Sequence, residues 1–429
     1  MIAMAPSSPT ERPRIVVVGA GISGLALAAM LTGADADIIV LEQGIPPGRD
    51  HGFTGIVSSG DLQAIGIPLE SARALPITAI AQARLDTSSL DHDRISPVWW
   101  AVEHATLLQA LTRRLTEHGV PVRQNNSTVT DFLWKLGSVA GVHCGESGLK
   151  LFADLVILAD ESDPRLAEEL DLRPDWLPTE LIHVAKVRFP LPSAVVQERF
   201  GAAGEGCRVV VFRHAASWAS PGYGIVLPGL ESLTIVVAML LEDEMATARH
   251  IREYLDEVTN YPLVRKFVSG SVEEGFFTEV VPIGGFEAKP RFHTDGVLVV
   301  NDLVGVTNPI NRDGLSSNLV VCAAAARTIR AAIDAGSFSR SRLAGYSTQI
   351  ATEVIAPVYS MRRADSTMRR GPPWQWASKP ELVPVPAGLT DRGKSETLSG
   401  ADDSRGWQRL RRFGRIAGVR RHAPGEYDE

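Results

Sequence analysis

Cysteine is scarce: the 429 residues include three, Cys144, Cys207 and Cys322, with no CxxC spacing among them. This excludes a disulfide framework, a zinc finger and an iron–sulfur cluster held by this chain alone. A reducing cytoplasm is then the simplest compartment. Positive charge is not in excess either, because the formal net charge is −7. Binding nucleic acid requires neutralising phosphates, so no nucleic-acid partner is expected. No apolar run reaches the roughly 18 residues that a spanning helix needs. The opening MIAMAPSSPTERPR has no apolar signal core. Any membrane contact is therefore expected to be peripheral. Metal-ligand and Ser-His-Asp spacings are missing as well. His51, His92, His104, His183, His214 and His293 are scattered, and each reads first as a surface or structurally satisfied side chain.

What is present is an ordinary globular balance, 45% hydrophobic and 22% charged, in a chain longer than one core usually holds. Two subdomains are the natural expectation. Arg14 to Val18, RIVVV, is too short and too β-branched for a helix and reads as a buried strand. GAGISG follows, then an apolar helix, then ADIIVLE as a second strand. This is a βαβ unit opening a parallel sheet.

Gly19, Gly21 and Gly24 form G-x-G-x-x-G, with Ser23 inside it at the mouth of the helix. The first glycine permits the tight turn, the second lets backbone amides approach a pyrophosphate, and the third lets helix pack on strand. Glu42 closes the second strand, where a carboxylate can bond a ribose hydroxyl. The fingerprint alone does not separate NAD from FAD. The late stretch VLVVNDLVGVTNP, Val297 to Pro309, does. A second strand ending on an acid and followed by a long helix suits a large ligand held from both ends of the chain. Between these segments, ADLVILAD is another buried strand, ending at Asp160. Residues 182–240 change to longer, half-alternating strands that suggest a mixed or antiparallel sheet.

Gly19–Gly24 with Glu42, ADLVILAD, and DGVLVVNDLVGVTNP before a helix resemble the glutathione-reductase-type FAD proteins. Two further stretches narrow the resemblance. TEVVPIGGFEAKPRFHTDGVLVV and LAGYSTQIATEVIAPVYSMRRA are similar to the branch containing FixC, the electron-transfer-flavoprotein:quinone oxidoreductases and the geranylgeranyl reductases. The resemblance covers roughly residues 14–365. It implies an α/β fold, with a Rossmann-like FAD domain, an inserted mixed or antiparallel-sheet substrate domain and C-terminal helices. The expected divisions are 1–60, 100–165 and 285–345 for the FAD domain, and 61–99 with 166–284 for the substrate domain. Residues 346–395 are expected to be a helical segment and 396–429 a flexible basic tail.

The implied cofactor is FAD, held by Gly19, Gly21, Ser23, Gly24, Glu42, His104, Asp160, Asp302 and Gly314, with Asp302 on the ribityl chain and Gly314 beneath the flavin ring. The flavin carries the redox chemistry, so no catalytic side chain is obligatory. Arg312, near Asn308 and Asn311, is the candidate to stabilise a reduced anionic ring. Trp99 and Trp100 are candidate pocket walls. The chain departs from the family in having Asn301 before the late aspartate, Glu161 after Asp160, and His104 where arginine is frequent. Asparagine tolerates unusual backbone angles better than most side chains.

The resemblance implies electron transfer between a flavoprotein or small-molecule donor and a quinone or ferredoxin-like acceptor, with electron-transfer flavoprotein and a ferredoxin-like protein as partners. Two alternatives stand beside it: an FAD-dependent reductase or tailoring enzyme for a prenyl or other apolar molecule, and a non-catalytic scaffold. The basic stretch 407–422 reads either as a solvated tail or as an interfacial helix.

Overall fold

The computed structural model describes residues 12–42, 53–84, 89–94, 99–124, 127–145, 148–160, 165–172, 176–202, 206–213, 223–282, 291–305, 307 and 314–355. Arg14–Val18 is a strand because four of its residues are bulky and apolar, and the fold buries them. It runs parallel to Asp37–Leu41 on one side and to Leu155–Leu158 on the other. Val297–Val299 adds the next parallel strand beyond Leu155–Leu158, and Val122–Arg123 extends the far side. His293–Thr294 closes the sheet with an antiparallel pairing. Sheets buried on both faces read as continuous apolar runs rather than as alternation, which these strands obey.

The helix Ile22–Leu31 is apolar on nearly all sides and buried almost throughout. It packs against the helix His104–Glu117 and against the Ala-rich helix Leu315–Asp334. Small side chains allow the close approach, and the Cys322 thiol donates to the Ser23 carbonyl at 3.3 Å. The C-terminal helix Arg340–Ile350 is pinned to the late strand by Tyr346, whose buried hydroxyl donates to the Val299 carbonyl at 2.7 Å. Val129–Lys135, Ser138–Cys144 and Leu149–Phe152 form a separate antiparallel meander.

The second large sheet is mixed, as the strand patterning implies. Its order begins at the edge strand Phe276–Pro282 and continues through Leu181–Pro190, Ser232–Leu240, Tyr223–Pro228 and Gly206–Arg213. It then passes to Leu75–Arg84, Trp99–Glu103 and Thr54–Ser58. All these pairings are antiparallel except that between Gly206–Arg213 and Leu75–Arg84. Leu75–Arg84 lies in what reads as irregular sequence, because Pro76 and three alanines mask its alternation. One face of this sheet carries Ala185, Val187, Ile235 and Val237 against the helices Ser193–Phe200, Ile251–Asn260 and Pro262–Val268. The other carries Ile182, Val184, Val209, Val236 and Ala238, with half-buried Trp99 and Ile225.

The stretch from Ala246 to Val258, which reads as one helix, is broken. Leu241–Thr247 ends at Ala248 in a left-handed conformation, φ +52°, and Ile251–Asn260 starts at a His250 cap. The cap is reciprocal: His250 Nδ1 accepts from the Arg252 amide, and Glu253 accepts from the His250 amide.

Candidate active site

Parallel pairing sets the site. Val18 is in register with Leu41 on one side and Leu158 on the other, and Leu158 with Val299. The residues that follow these four strands therefore emerge in one row: Glu42, Gly19, Ala159 with Asp160, and Val300 with Asn301 and Asp302. Neighbouring strands are about 4.8 Å apart, so the row spans about 14 Å. Open α/β sheets bind ligands along such carboxyl edges.

The glycine turn is built tightly. Gly19 has φ +105°, and a Cβ there would lie 2.8 Å from the Ala159 carbonyl carbon and oxygen and from the Asp160 amide nitrogen. A Cβ on Gly24 would sit 2.0 Å from the Gly19 carbonyl oxygen. Gly21 differs: a Cβ there would meet nothing within 4 Å. The helix after it has no side-chain cap and no acid in its first turn. Buried Ser23 contributes packing inside that turn. Glu42 Oε2 accepts from the Ala20 amide at 2.8 Å, which holds the carboxylate against the turn.

At the other end of the row, Asn301 adopts φ +71° and is fully buried. Its Nδ2 donates to the Ala159 carbonyl at 2.8 Å. The asparagine thus takes a left-handed turn, and its amide bonds the adjacent strand end. Asp302 follows in the short turn Asn301–Val304. Its Oδ1 accepts from Thr307 Oγ1 at 3.0 Å and Asn318 Nδ2 at 2.9 Å. Burial pushes the Asp302 carboxyl up to about 6, and the charge of Glu279 adds to that. The bonds from Asn318 and Thr307 and the nearby Lys186 ammonium pull it back.

Gly314 caps the long helix Leu315–Asp334, which has neither a side-chain cap nor an acid in its first turn. A Cβ on Gly314 would come within 3.9 Å of Asp302 Oδ1. His104 lies on the same side: its ring fills the space over Gly55, where a Cβ would be 2.6 Å from Nε2 and 3.3 Å from Leu315 Cδ2. Glu161, Asn308, Asn311, Arg312 and the segment 407–422 lie outside the described residues.

A flavin dinucleotide fits these residues. Two helices aim uncapped N-termini at the row, and uncapped amides favour an electron-rich group. Gly21 leaves room for a pyrophosphate. Asn318 Oδ1 is buried without a hydrogen-bond partner among the described residues, an acceptor beside Asp302 suited to a ligand hydroxyl.

Trp99 and Trp100 alternate along Trp99–Glu103. Trp99 joins the apolar inner face of the mixed sheet, whereas Trp100 packs into the parallel-sheet core. Of the other histidines, His183 bonds Glu244 and Thr278, and His293 bonds the Arg340 carbonyl and Ser347. Both are structural contacts. Sequence reading missed Asn318, Lys186 and Glu279. Asn318 had a signal, a lone amide on the buried face of an apolar helix. The other two meet only through strand register. Among the described residues no cluster of His, Cys, Asp or Glu is arranged to hold a metal ion. No described helix is long and apolar enough to cross a membrane.

No protein-family model matches the chain. Among curated proteins it is similar to FixC of Rhizobium meliloti, 26% identical over 391 residues, covering 87% of this chain and 88% of the relative. It is also 26% identical over 346 residues to the probable electron transfer flavoprotein–quinone oxidoreductase YdiS of Escherichia coli, covering 78% and 80%. Among solved structures, a geranylgeranyl bacteriochlorophyll reductase-like protein of Thermoplasma acidophilum superposes with TM-score 0.69 at 16% identity, covering 86% of this chain and 92% of that one. In sequence and in fold the chain is therefore similar to the FixC and electron transfer flavoprotein–quinone oxidoreductase proteins.

Proposed function

We propose that the protein binds FAD along the carboxyl edge of its parallel sheet and passes electrons between a flavoprotein or small-molecule donor and a quinone or ferredoxin-like acceptor. The observation that carries this reading is the flush row from Glu42 to Asp302, with an uncapped helix aimed at each part of it. Gly19, Gly21, Ser23 and Gly24 would cradle the pyrophosphate, and Glu42 would bond the adenosine ribose. Asp302 would meet the ribityl hydroxyls, with Gly314 beneath the ring. Asp160 and His104 would border the cofactor, and Arg312 is the proposed cation near the ring. Bound FAD supplies the redox chemistry; the chain's residues position it and shield it from water.

The two-domain reading, FAD domain 1–60, 100–165 and 285–345 with substrate domain 61–99 and 166–284, belongs to the same proposal. The inner face of the mixed sheet, Ile182, Val184, Val236 and half-buried Trp99, supports an apolar acceptor. That face equally favours the second reading, a reductase of a prenyl or other apolar molecule, and the structurally similar Thermoplasma protein is named as geranylgeranyl bacteriochlorophyll reductase-like.

The decisive experiment is the absorption spectrum of freshly purified protein, with its cofactor identified by chromatography. A flavin band containing FAD is expected. Failure to take up FAD on reconstitution, with no rise in melting temperature, would leave the non-catalytic scaffold. Reduction rates with electron-transfer flavoprotein, NAD(P)H and a prenyl substrate, compared side by side, separate the two enzymatic readings. Flotation with anionic liposomes, full-length against a chain ending near residue 395, tests the peripheral contact; equal flotation removes residues 407–422 as an anchor.

A further inference from the structure

A cleft of about 470 Å³ opens between the helix His104–Glu117 and the turn 68–74. No residue of the row from Glu42 to Asp302 lines it. Thr106, Gln109 and Arg113 contribute from one face of the helix, at spacings of three and seven residues. Glu70, Ser71 and Arg73 contribute from the turn. Arg113 stands about 13 Å further along the helix axis than His104, the helix residue nearest the cofactor edge.

The turn is held firmly. Ala72 and Ile67 are buried in the core beneath it. The Arg73 amide donates to the Glu70 carbonyl and the Ala74 amide to the Leu69 carbonyl, each at 3.1 Å. This is the Schellman closure, whose left-handed position usually belongs to glycine. Here Arg73 takes it, at φ +48°. A side chain there strains the backbone, and strain of this kind concentrates at ligand clamps and active sites.

The charges point the same way. Neither the Arg73 nor the Arg113 guanidinium has a hydrogen bond or ion pair among the described residues. Other surface arginines are engaged: Arg12 with Asp35, Arg291 with Asp171 and Arg327 with Glu353. Two cations on one cleft repel each other unless an anion lies between them. Arg114 adds a third positive charge beside the turn. Its guanidinium packs over Gly66, and its Nε is buried without a partner among the described residues.

We propose that this cleft binds a small phosphorylated molecule, whose phosphoryl oxygens take the Arg73 and Arg113 guanidinium groups. A guanidinium fork matches phosphate with two parallel bonds. The Ser71 and Thr106 hydroxyls and the Gln109 amide supply further donors. The volume lies within the range of small-molecule sites. Glu70 is the acid in the lining, and its charge works against the anion. The site uses none of the residues assigned to FAD, so it stands apart from that reading.

The test is isothermal titration of the purified full-length chain, with whatever cofactor it carries, using inorganic pyrophosphate as the probe. Wild type is expected to bind it. Arg73→Gly and Arg113→Gln should each weaken binding about tenfold or more, because each removes charge-assisted bonds. Arg113→Lys keeps the charge and loses the fork, so it should fall between. Glu70→Gln should tighten binding. Arg73→Gly also relieves the left-handed strain and should resist urea at least as well as wild type, which separates lost binding from a lost fold. Lys135→Gln, which removes an exposed charge from the strand Val129–Lys135, should leave binding unchanged. Absence of binding by wild type would overturn the proposal. Equal affinity in wild type, Arg73→Gly and Arg113→Gln would also overturn it, by showing an adventitious ion only. An equal loss in Lys135→Gln would do the same, by showing general attraction to positive charge.

Discussion

Asn301 and Gly19 close on the same peptide group. Asn301 Nδ2 donates to the Ala159 carbonyl oxygen at 2.8 Å, and a Cβ on Gly19 would lie 2.8 Å from that same oxygen. The early glycine turn and the late aspartate turn are thus braced against one strand end, which sets the spacing between the two halves of the site.

Asn301→Ala should destabilise the protein by about 2–5 kcal/mol. It removes the partner of a buried carbonyl, at roughly 1–3 kcal/mol, and puts alanine at φ +71°, at roughly 1–2 kcal/mol. Asn301→Gly keeps the turn and loses only the bond, so it should cost less. Urea unfolding orders the three proteins. Asn301→Ala as stable as wild type would contradict the role given to this side chain.

The glycines of the fingerprint should separate into two kinds. Gly24→Ala drives a methyl into the Gly19 carbonyl and should lower stability by about 3 kcal/mol or abolish soluble expression. Gly21→Ala meets no atom, and its φ of −65° suits any residue. It should change stability by less than about 1 kcal/mol while weakening FAD binding about tenfold or more, some 1.4 kcal/mol. Melting curves with and without FAD distinguish the two. If Gly21→Ala bound FAD as wild type does, the pyrophosphate would have to lie elsewhere.

Asp302 gives a pH dependence with a definite sign. Its folded carboxyl titrates at about 6, above its ordinary value of 3.8, so the folded state holds the proton more tightly than the unfolded one. Stability from this group is fully present below about pH 4 and is lost as pH rises towards 6. Unfolding of ligand-free wild type and Asp302→Asn should therefore diverge between these limits, wild type losing more stability as pH rises. Parallel curves would show that the carboxyl is not held above its ordinary value.

The adjacent tryptophans should behave differently. Trp100 packs into the parallel-sheet core, so Trp100→Ala should cost about 3 kcal/mol. Trp99 lines the opposite face, and Trp99→Ala should act mainly on KM for an apolar substrate. Chemical unfolding of both variants checks the first statement, and steady-state kinetics the second. An equal stability loss for the two would mean that the inner face is filled core.

Much of the cofactor edge was legible before any coordinates. RIVVV, GAGISG, ADLVILAD and VLVVND are short, apolar and punctuated, and local chemistry sufficed to make each a strand or a turn. Asn301 was legible in part: its tolerance for a left-handed turn follows from its side chain, but its bond to Ala159 depends on which strands are neighbours. Leu75–Arg84 was not legible, because alanines and Pro76 dilute its pattern and its place comes from pairing with Gly206–Arg213.

From sequence alone follow the glycine turn, the three acids ending core strands and the apolar helices, because each depends on the conformational limits and polarity of residues close together in the chain. The flush row of four strand ends, the alternation that sends Trp99 and Trp100 to opposite faces, and the contact of Lys186 with Glu279 were decided only in the tertiary structure. Register and strand order are set by the burial of whole faces, a property of the assembled sheet that no single stretch of this chain contains.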